Sequence, residues 1–91
     1  MIVTASIPYH DGEIRIGWAS WDDGSLSARS IKWAYKDRNG RTSIRSPETP
    51  MNFLLDMVSF ALDQGEFDDV AALRVAHNKI ESRLNALERS R

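Results

Sequence analysis

The stretch from Ser30 to Arg45, SIKWAYKDRNGRTSIR, sets the interpretation of the whole sequence. Its first part alternates apolar and basic residues, a pattern typical of a strand with one buried face. The segment 37–40, Asp-Arg-Asn-Gly, is a strong turn signal, because Asn-Gly tolerates the left-handed backbone of a tight reversal. A second short strand follows the turn. The stretch therefore predicts a β-hairpin with an apolar inner face and a basic outer face.

Three registers are open to this hairpin. A two-residue loop pairs Tyr35 with Ile44, and a four-residue loop pairs Trp33 with Ile44. Both keep apolar side chains opposite apolar ones, so we favour them. A three-residue bulged loop sets Trp33 opposite Arg45 and mixes the two faces. In the favoured registers the aromatic side chains point inward, to the core, together with Ile31.

Two more strands are predicted before the hairpin. Residues 2–7 are rich in Ile, Val and Thr, and we expect this strand to stop at Pro8. Residues 13–18 alternate cleanly after the turn residues 9–12. One face of that strand is apolar and the other is polar, which is typical of a half-buried antiparallel strand.

Residues 26–29 are ambiguous among strand, bulge and helix. Leu26 has the wrong parity to share a face with Ile31, although a β-bulge would correct the parity. A helix over residues 25–36 is the rival interpretation. We favour the strand, because β-branched and aromatic residues dominate and Asn-Gly follows at once.

The second half predicts two helices. Ser46-Pro47 and Thr49-Pro50 are both helix start signals, a hydroxyl cap followed by proline. From Met51 to Leu62 all residues are apolar except one narrow polar stripe, so we expect a core helix that is buried around most of its circumference. Gly65 is placed to end it.

The last helix is predicted to begin near Asp68-Asp69 and to run toward Arg89. Its apolar positions recur at spacings of 3, 4, 3, 4 and 3, which is a heptad pattern. A short link predicts that the two helices are antiparallel neighbours. We call the apolar positions the α2 seam, and they are Val70, Leu73, His77, Ile80, Leu84 and Leu87.

Together these patterns predict an α+β fold. We expect an antiparallel meander of three or four strands, followed by an antiparallel helix pair packed on one sheet face. A chain of 91 residues is expected to form a single domain, with a sheet half over 1–45 and a helical half over 46–91.

The charges fall into four blocks of alternating sign. Residues 1–28 carry −3, residues 29–45 carry +5, residues 46–73 carry −6 and residues 74–91 carry +3, which sum to the net charge of −1. Opposite blocks can pack beside each other, or they can leave a polarised surface that steers a charged partner.

Several chemistries are excluded by what the sequence lacks. There is no cysteine, so disulfides, cysteine-based zinc sites and thiol nucleophiles are ruled out. No metal-ligand spacing, nucleophile elbow or phosphate loop is present, so we expect no cofactor, no metal and no catalysis. The sequence has no signal peptide and no apolar run long enough for a membrane span. We therefore expect a cytoplasmic protein that does not bind membranes.

The leading functional hypothesis is a small non-enzymatic binding module that contacts a protein or nucleoprotein partner, for example a phage-type inhibitor that occupies a host nucleic-acid machine. An exposed tryptophan is a typical interface anchor, and Trp21 is the candidate. The predicted partner-binding residues are Lys32, Lys36, Arg38, Arg41, Arg45 and Trp21.

Two alternatives stay open. The first is direct, sequence-independent nucleic-acid binding by the same basic face. The parity of the strand argues against it, because aromatic rings that point inward cannot stack on bases. The second is a structural homodimer through the α2 seam, although a seam of about two and a half heptads with a central histidine forms only a weak free-standing coiled coil.

Overall fold

A computed structural model describes residues 1–22, 24–43 and 46–90 of the chain. The strands form one antiparallel sheet in the order β1-β2-β3-β4. The predicted α+β class, an antiparallel meander followed by two helices, is confirmed. The elements are β1 (Ile2–Tyr9), β2 (Gly12–Trp18), β3 (Arg29–Tyr35), β4 (Thr49–Pro50), α1 (Met51–Asp63) and α2 (Val70–Arg89).

The chain divides into two compact units, Met1–Val58 and Ser59–Arg91. The first unit holds the sheet and the beginning of α1. The second holds the end of α1 and all of α2. The expectation of a single domain with a sheet half and a helical half stays a prediction.

Strands β1 and β2 form the first hairpin, in which Tyr9 pairs with Gly12. His10, in the two-residue loop, has a φ of 48°, the left-handed backbone that such a loop favours. The predicted end of this strand at Pro8 is wrong, because β1 continues to Tyr9. An edge strand such as β1 tolerates proline where the missing N–H faces away from the ladder.

The connection between β2 and β3 is a loop anchored by Asp22. Its Oδ2 atom accepts hydrogen bonds from the backbone N–H groups of Ser27 and Ala28, at 3.2 and 3.0 Å. Desolvation raises the pKa of Asp22, but these hydrogen bonds outweigh it and hold the pKa below its ordinary value. The ambiguity at residues 26–29 is thus resolved as a loop up to Ala28, with β3 beginning at Arg29.

After β3 the chain reverses through a three-residue loop. Lys36 pairs with Thr42 in an isolated bridge, and the N–H of Ser43 donates to the carbonyl of Tyr35 at 2.7 Å. The two registers that we favoured are therefore wrong, and the bulged register is present. The predicted second strand is reduced to this bridge, and its expected partners Ile44 and Arg45 lie outside the described residues.

Asp37 explains the register. Its carboxylate accepts the backbone N–H groups of Asn39 at 2.9 Å and Arg41 at 3.1 Å. Gly40 donates its N–H to the carbonyl of Asp37 at 3.1 Å and has a φ of 74°. This is the turn with a left-handed glycine that closes three-residue hairpin loops. Local turn chemistry thus outweighed the matching of apolar faces.

Strand β4 and the residue before it hold the first unit together. Pro50 pairs with Ser30 on β3. The Glu48 carboxylate accepts the hydroxyl and the N–H of Ser20, and it accepts the Ser30 hydroxyl at 2.9 Å. Because Ser30 is fully buried, Glu48 supplies the acceptor that its hydroxyl needs. One carboxylate thus links the loop after β2, the strand β3 and the segment that leads into β4.

The interior of the described chain is built from small residues. Its only buried hydrophobic side chains are Ala19 and Ala34. Gly17 is also buried, and a Cβ there would lie 2.1 Å from the carbonyl oxygen of Ile2, so a side chain at this position would push β1 away. No large apolar side chain is buried anywhere in the described residues.

Helix α1 begins at Met51, directly after the Thr49-Pro50 start signal. Its predicted end is confirmed: Gly65 has a φ of 79°, and the N–H of Glu66 donates to the carbonyl of Ala61 at 3.0 Å. The prediction that α1 is a core helix is wrong, because none of its residues is buried.

Helix α2 follows its predicted limits. Asp69 is the N-cap, and its carboxylate accepts the N–H of Ala72 at 3.0 Å. The helix ends at Arg89. All of its residues are exposed, so the α2 seam is open to solvent along its full length.

Glu48→Ala is expected to lower the free energy of unfolding by about 1–3 kcal/mol, because it leaves the Ser30 hydroxyl buried without an acceptor. Urea denaturation measures this change. Ser20→Ala is the matched control, since it removes an exposed hydroxyl from the same carboxylate and should cost less. An unchanged stability in Glu48→Ala would contradict this role.

The same carboxylate predicts a pH dependence. Burial raises the pKa of Glu48, but the hydrogen bonds from Ser20 and Ser30 outweigh it and hold the pKa below 4.5. A lowered pKa in the folded state adds stability above the unfolded pKa, and this stability is lost as the pH falls through the folded pKa. The native chain should therefore lose more stability than Glu48→Ala between about pH 5 and pH 3.

Candidate functional site

One face of the sheet carries a group of aromatic rings at the hairpin end. We call it the ring face. Pairing across β1, β2 and β3 places Tyr9 in line with Gly12 and Tyr35. Trp33, two residues before Tyr35 on β3, lies on the same face. The rings of Trp33 and Tyr35 are 5.0 Å apart, and those of Tyr9 and Trp33 are 6.5 Å apart. We call Tyr9, Trp33 and Tyr35 the ring cluster.

The ring cluster is open to solvent. Trp33 is 45% exposed and Tyr9 is 46% exposed, whereas Tyr35 is half-buried. Gly12, which lies between the two tyrosines, allows a close approach to β3, because a Cβ there would lie 1.9 Å from the carbonyl oxygen of Ala34. The prediction that Trp33 points into a core is therefore wrong, although Trp33 and Tyr35 do share a face as predicted.

At the opposite end of the ring face, a cation covers the aromatic ring. Trp18 lies under the guanidinium group of Arg29, which is 4.6 Å from the ring centroid. The Nη2 atom of Arg29 also donates to the hydroxyl of Thr4 at 2.8 Å, which fixes the guanidinium group in place. A cation held over a ring occupies the face that a ligand would use. The open rings are therefore confined to the hairpin end.

Three exposed cations lie beside Tyr35, one member of the ring cluster. Lys36, Arg38 and Arg41 line a shallow pocket of about 660 Å³ together with Tyr35. The single ion pair in the described part of the chain joins Arg15 to Glu13, so none of these three is neutralised by an ion pair there. We call Lys36, Arg38 and Arg41 the cation group.

The carboxylate beside the cation group is already in use. Asp37 also lines the pocket, but both of the N–H groups that it accepts belong to the turn itself. The same turn therefore also sets the backbone positions from which the side chains of the cation group extend. Ring cluster and cation group together form the candidate site.

The six predicted partner-binding residues do not all come together. Lys36, Arg38 and Arg41 are adjacent in the cation group. Lys32 is half-buried on the face opposite the rings, where it pairs with Arg15 across the strands. Trp21 is 48% exposed, but it follows β2 at the far end of the sheet. Arg45 lies outside the described residues.

The sequence interpretation missed Tyr9 as a site residue. Tyr9 joins the site because β1 extends two residues beyond its predicted end, which carries the ring alongside β3. The ring of His10 lies 4.3 Å from that of Tyr9 in an edge-to-face arrangement.

Other kinds of site find no support in the described ranges. They contain no group of three or more His, Asp or Glu side chains that could hold a metal ion. Neither of the two helices described is long and apolar enough to cross a membrane.

Comparison with known proteins does not assign this chain to a family. No protein-family model matches the chain, and no curated protein or solved structure is significantly similar to it.

Proposed function

We propose that this chain is a non-enzymatic binding module that holds single-stranded nucleic acid at the hairpin end of its sheet. One observation carries the proposal: two well-exposed rings, Tyr9 and Trp33, share a sheet face with Tyr35, and Tyr35 lines a pocket with three cations that have no ion pair in the described residues. Cations neutralise phosphates and open rings stack unpaired bases, and binding of single strands needs both.

The exposure of the rings changes the order of the hypotheses. Base stacking was doubtful only while Trp33 was expected to be buried. With Trp33 and Tyr9 open, direct binding to nucleic acid accounts for the rings as well as the cations. An acidic protein partner accounts for the cations alone.

The positions of the cations also favour nucleic acid over an acidic protein partner. A basic outer face for a protein partner needs Lys32 beside Lys36 and Arg41. Lys32 is half-buried and lies opposite Arg15, whose guanidinium group is paired with Glu13. Among the described residues of the first unit, the exposed basic side chains are Lys36, Arg38 and Arg41.

Stacking also implies a preference for unpaired bases. The bases of a duplex are stacked on one another, so a ring on an open sheet meets them only in a single strand. The proposal makes no claim for sequence preference, because every base offers a π-face. Such a role would have the protein act in the cytoplasm, as the sequence led us to expect.

Reversal of two cations is the first test. Lys36→Glu with Arg41→Glu should weaken the binding of a labelled single-stranded oligonucleotide by roughly tenfold or more and lower the salt slope by about two, because two phosphate contacts are lost. Fluorescence anisotropy over a series of salt concentrations measures both.

The matched control for that variant is Lys79→Glu with Arg89→Glu on α2, which changes the net charge equally. It should bind like the native chain. Equal weakening in the two variants would mean that the net charge of the chain, and not this site, determines the affinity for the oligonucleotide. Absence of any binding in dilute buffer would overturn the proposal and return the acidic protein partner to first place.

Removal of one ring is the second test. Trp33→Ala should cost about 1–3 kcal/mol of binding free energy, because one stacked base loses its platform. Tryptophan fluorescence should be quenched by the oligonucleotide in the native chain and much less in the variant. Trp21→Ala removes an equally exposed ring at the other end of the sheet and should leave both quantities unchanged. If Trp21→Ala is the variant that loses affinity, the site lies elsewhere.

A further inference from the structure

We infer that the ring cluster takes a single strand whose bases are turned apart, so that the site prefers weakly stacked pyrimidine strands to strands of stacked purines. The inference rests on the proposed function, because it concerns the same rings. It adds a preference that comes from stacking within the strand and not from hydrogen bonds to the bases. Its evidence is the arrangement of the rings relative to one another inside the first unit.

The planes of neighbouring rings in the cluster are strongly inclined. The rings of Tyr9 and Trp33 meet at 88°, and those of Trp33 and Tyr35 meet at 50°. A base that stacks on an aromatic side chain lies parallel to the ring. Bases on Tyr9 and Trp33 are therefore nearly perpendicular to each other, and no two neighbouring rings of the cluster can hold a pair of parallel bases.

The distances between the rings lead to the same result. Consecutive bases of a stacked strand are about 3.4 Å apart. The ring centroids of Tyr9 and Trp33 are 6.5 Å apart, and those of Trp33 and Tyr35 are 5.0 Å apart. Neighbouring nucleotides therefore reach two of these rings only in an extended strand with its bases splayed out.

Contacts among the rings hold them in this arrangement. The ring of Tyr9 makes edge-to-face contacts with two others, that of Trp33 and that of His10, the latter at 4.3 Å and 89°. Such contacts are favourable geometries for aromatic pairs. Turning Tyr9 parallel to Trp33 would break both of them. The strand, and not the site, is therefore the partner that rearranges on binding.

The cost of this rearrangement depends on the base. In oligo(dA) each adenine stacks on two neighbours, whereas on a ring of the cluster only one of its faces is covered. Thymines stack weakly in the free strand, so they have little to lose, and each gains a ring. The cation group does not distinguish the two strands, because their phosphates are the same. The net effect favours oligo(dT).

Comparison of two homopolymers on the full chain tests the preference. Fluorescence anisotropy with labelled oligo(dT) and oligo(dA) of equal length should show roughly three- to tenfold tighter binding of oligo(dT). The salt slopes of the two strands should be equal, since the same phosphates are contacted. Oligo(rU) and oligo(rA) form the matching RNA pair, and the same order is expected there.

Circular dichroism of oligo(dA) reports its stacking directly. The signal of stacked adenines should decrease when the strand is saturated with the chain, because neighbouring bases separate onto inclined rings.

Removal of one of the inclined rings tests the geometry. Tyr9→Ala should weaken the binding of oligo(dT) by roughly fivefold or more, because one base loses its platform. Oligo(dA) should lose less, since its adenines can then stay stacked on each other. The preference for oligo(dT) should fall to about twofold or less. Tyr9→Phe is the matched control: it keeps the ring and should keep both the affinity and the preference.

The outcomes separate this inference from the proposed function. Equal affinity for the two strands, tighter binding of oligo(dA), or an adenine signal that survives binding would overturn the inference and leave the proposed function standing, because each result requires a bound strand. A preference that Tyr9→Ala leaves unchanged would also overturn the inference. Absence of binding by both strands would overturn the proposed function, and the inference with it.

Discussion

The described part of this chain has almost no apolar interior, and this constraint governs the rest of the structure. Its buried hydrophobic side chains are two alanines. The sheet therefore depends on backbone pairing across β2, on the close approach that Gly17 permits, and on the hydrogen bonds that Glu48 accepts from Ser20 and Ser30. Most large apolar side chains of the described residues are therefore partly or largely exposed.

Elements with local signals could be predicted from the sequence. The alternation in β2, the left-handed glycine after α1 and the carboxylate cap of Asp69 are each defined by a few neighbouring residues. Elements that depend on distant residues could not. Glu48 lies between the two helix start signals, and its partners lie 28 and 18 residues earlier in the chain. The hairpin register was missed because the Asp37 turn determines it, not the matching of apolar faces.

The candidate site was half predicted. The sequence correctly placed Trp33 and Tyr35 on one face, and it identified the cations beside them. It did not reveal that the face is open, because alternation shows which residues share a face and not what covers that face. The same reason applies to both helices, where the apolar pattern was taken as evidence of burial. Exposure of Trp33 is thus the feature from which the proposed binding of single strands follows.

The central claim is that the open rings at the hairpin end are a binding surface. Titration of the isotope-labelled chain with a single-stranded oligonucleotide, followed by NMR, tests it most directly. The account predicts saturable shifts at the Trp33 indole N–H and at the backbone of Tyr9, Tyr35 and Lys36, while the Trp21 indole N–H stays in place. Shifts confined to Trp21, or the same weak shifts over the whole surface, would contradict it.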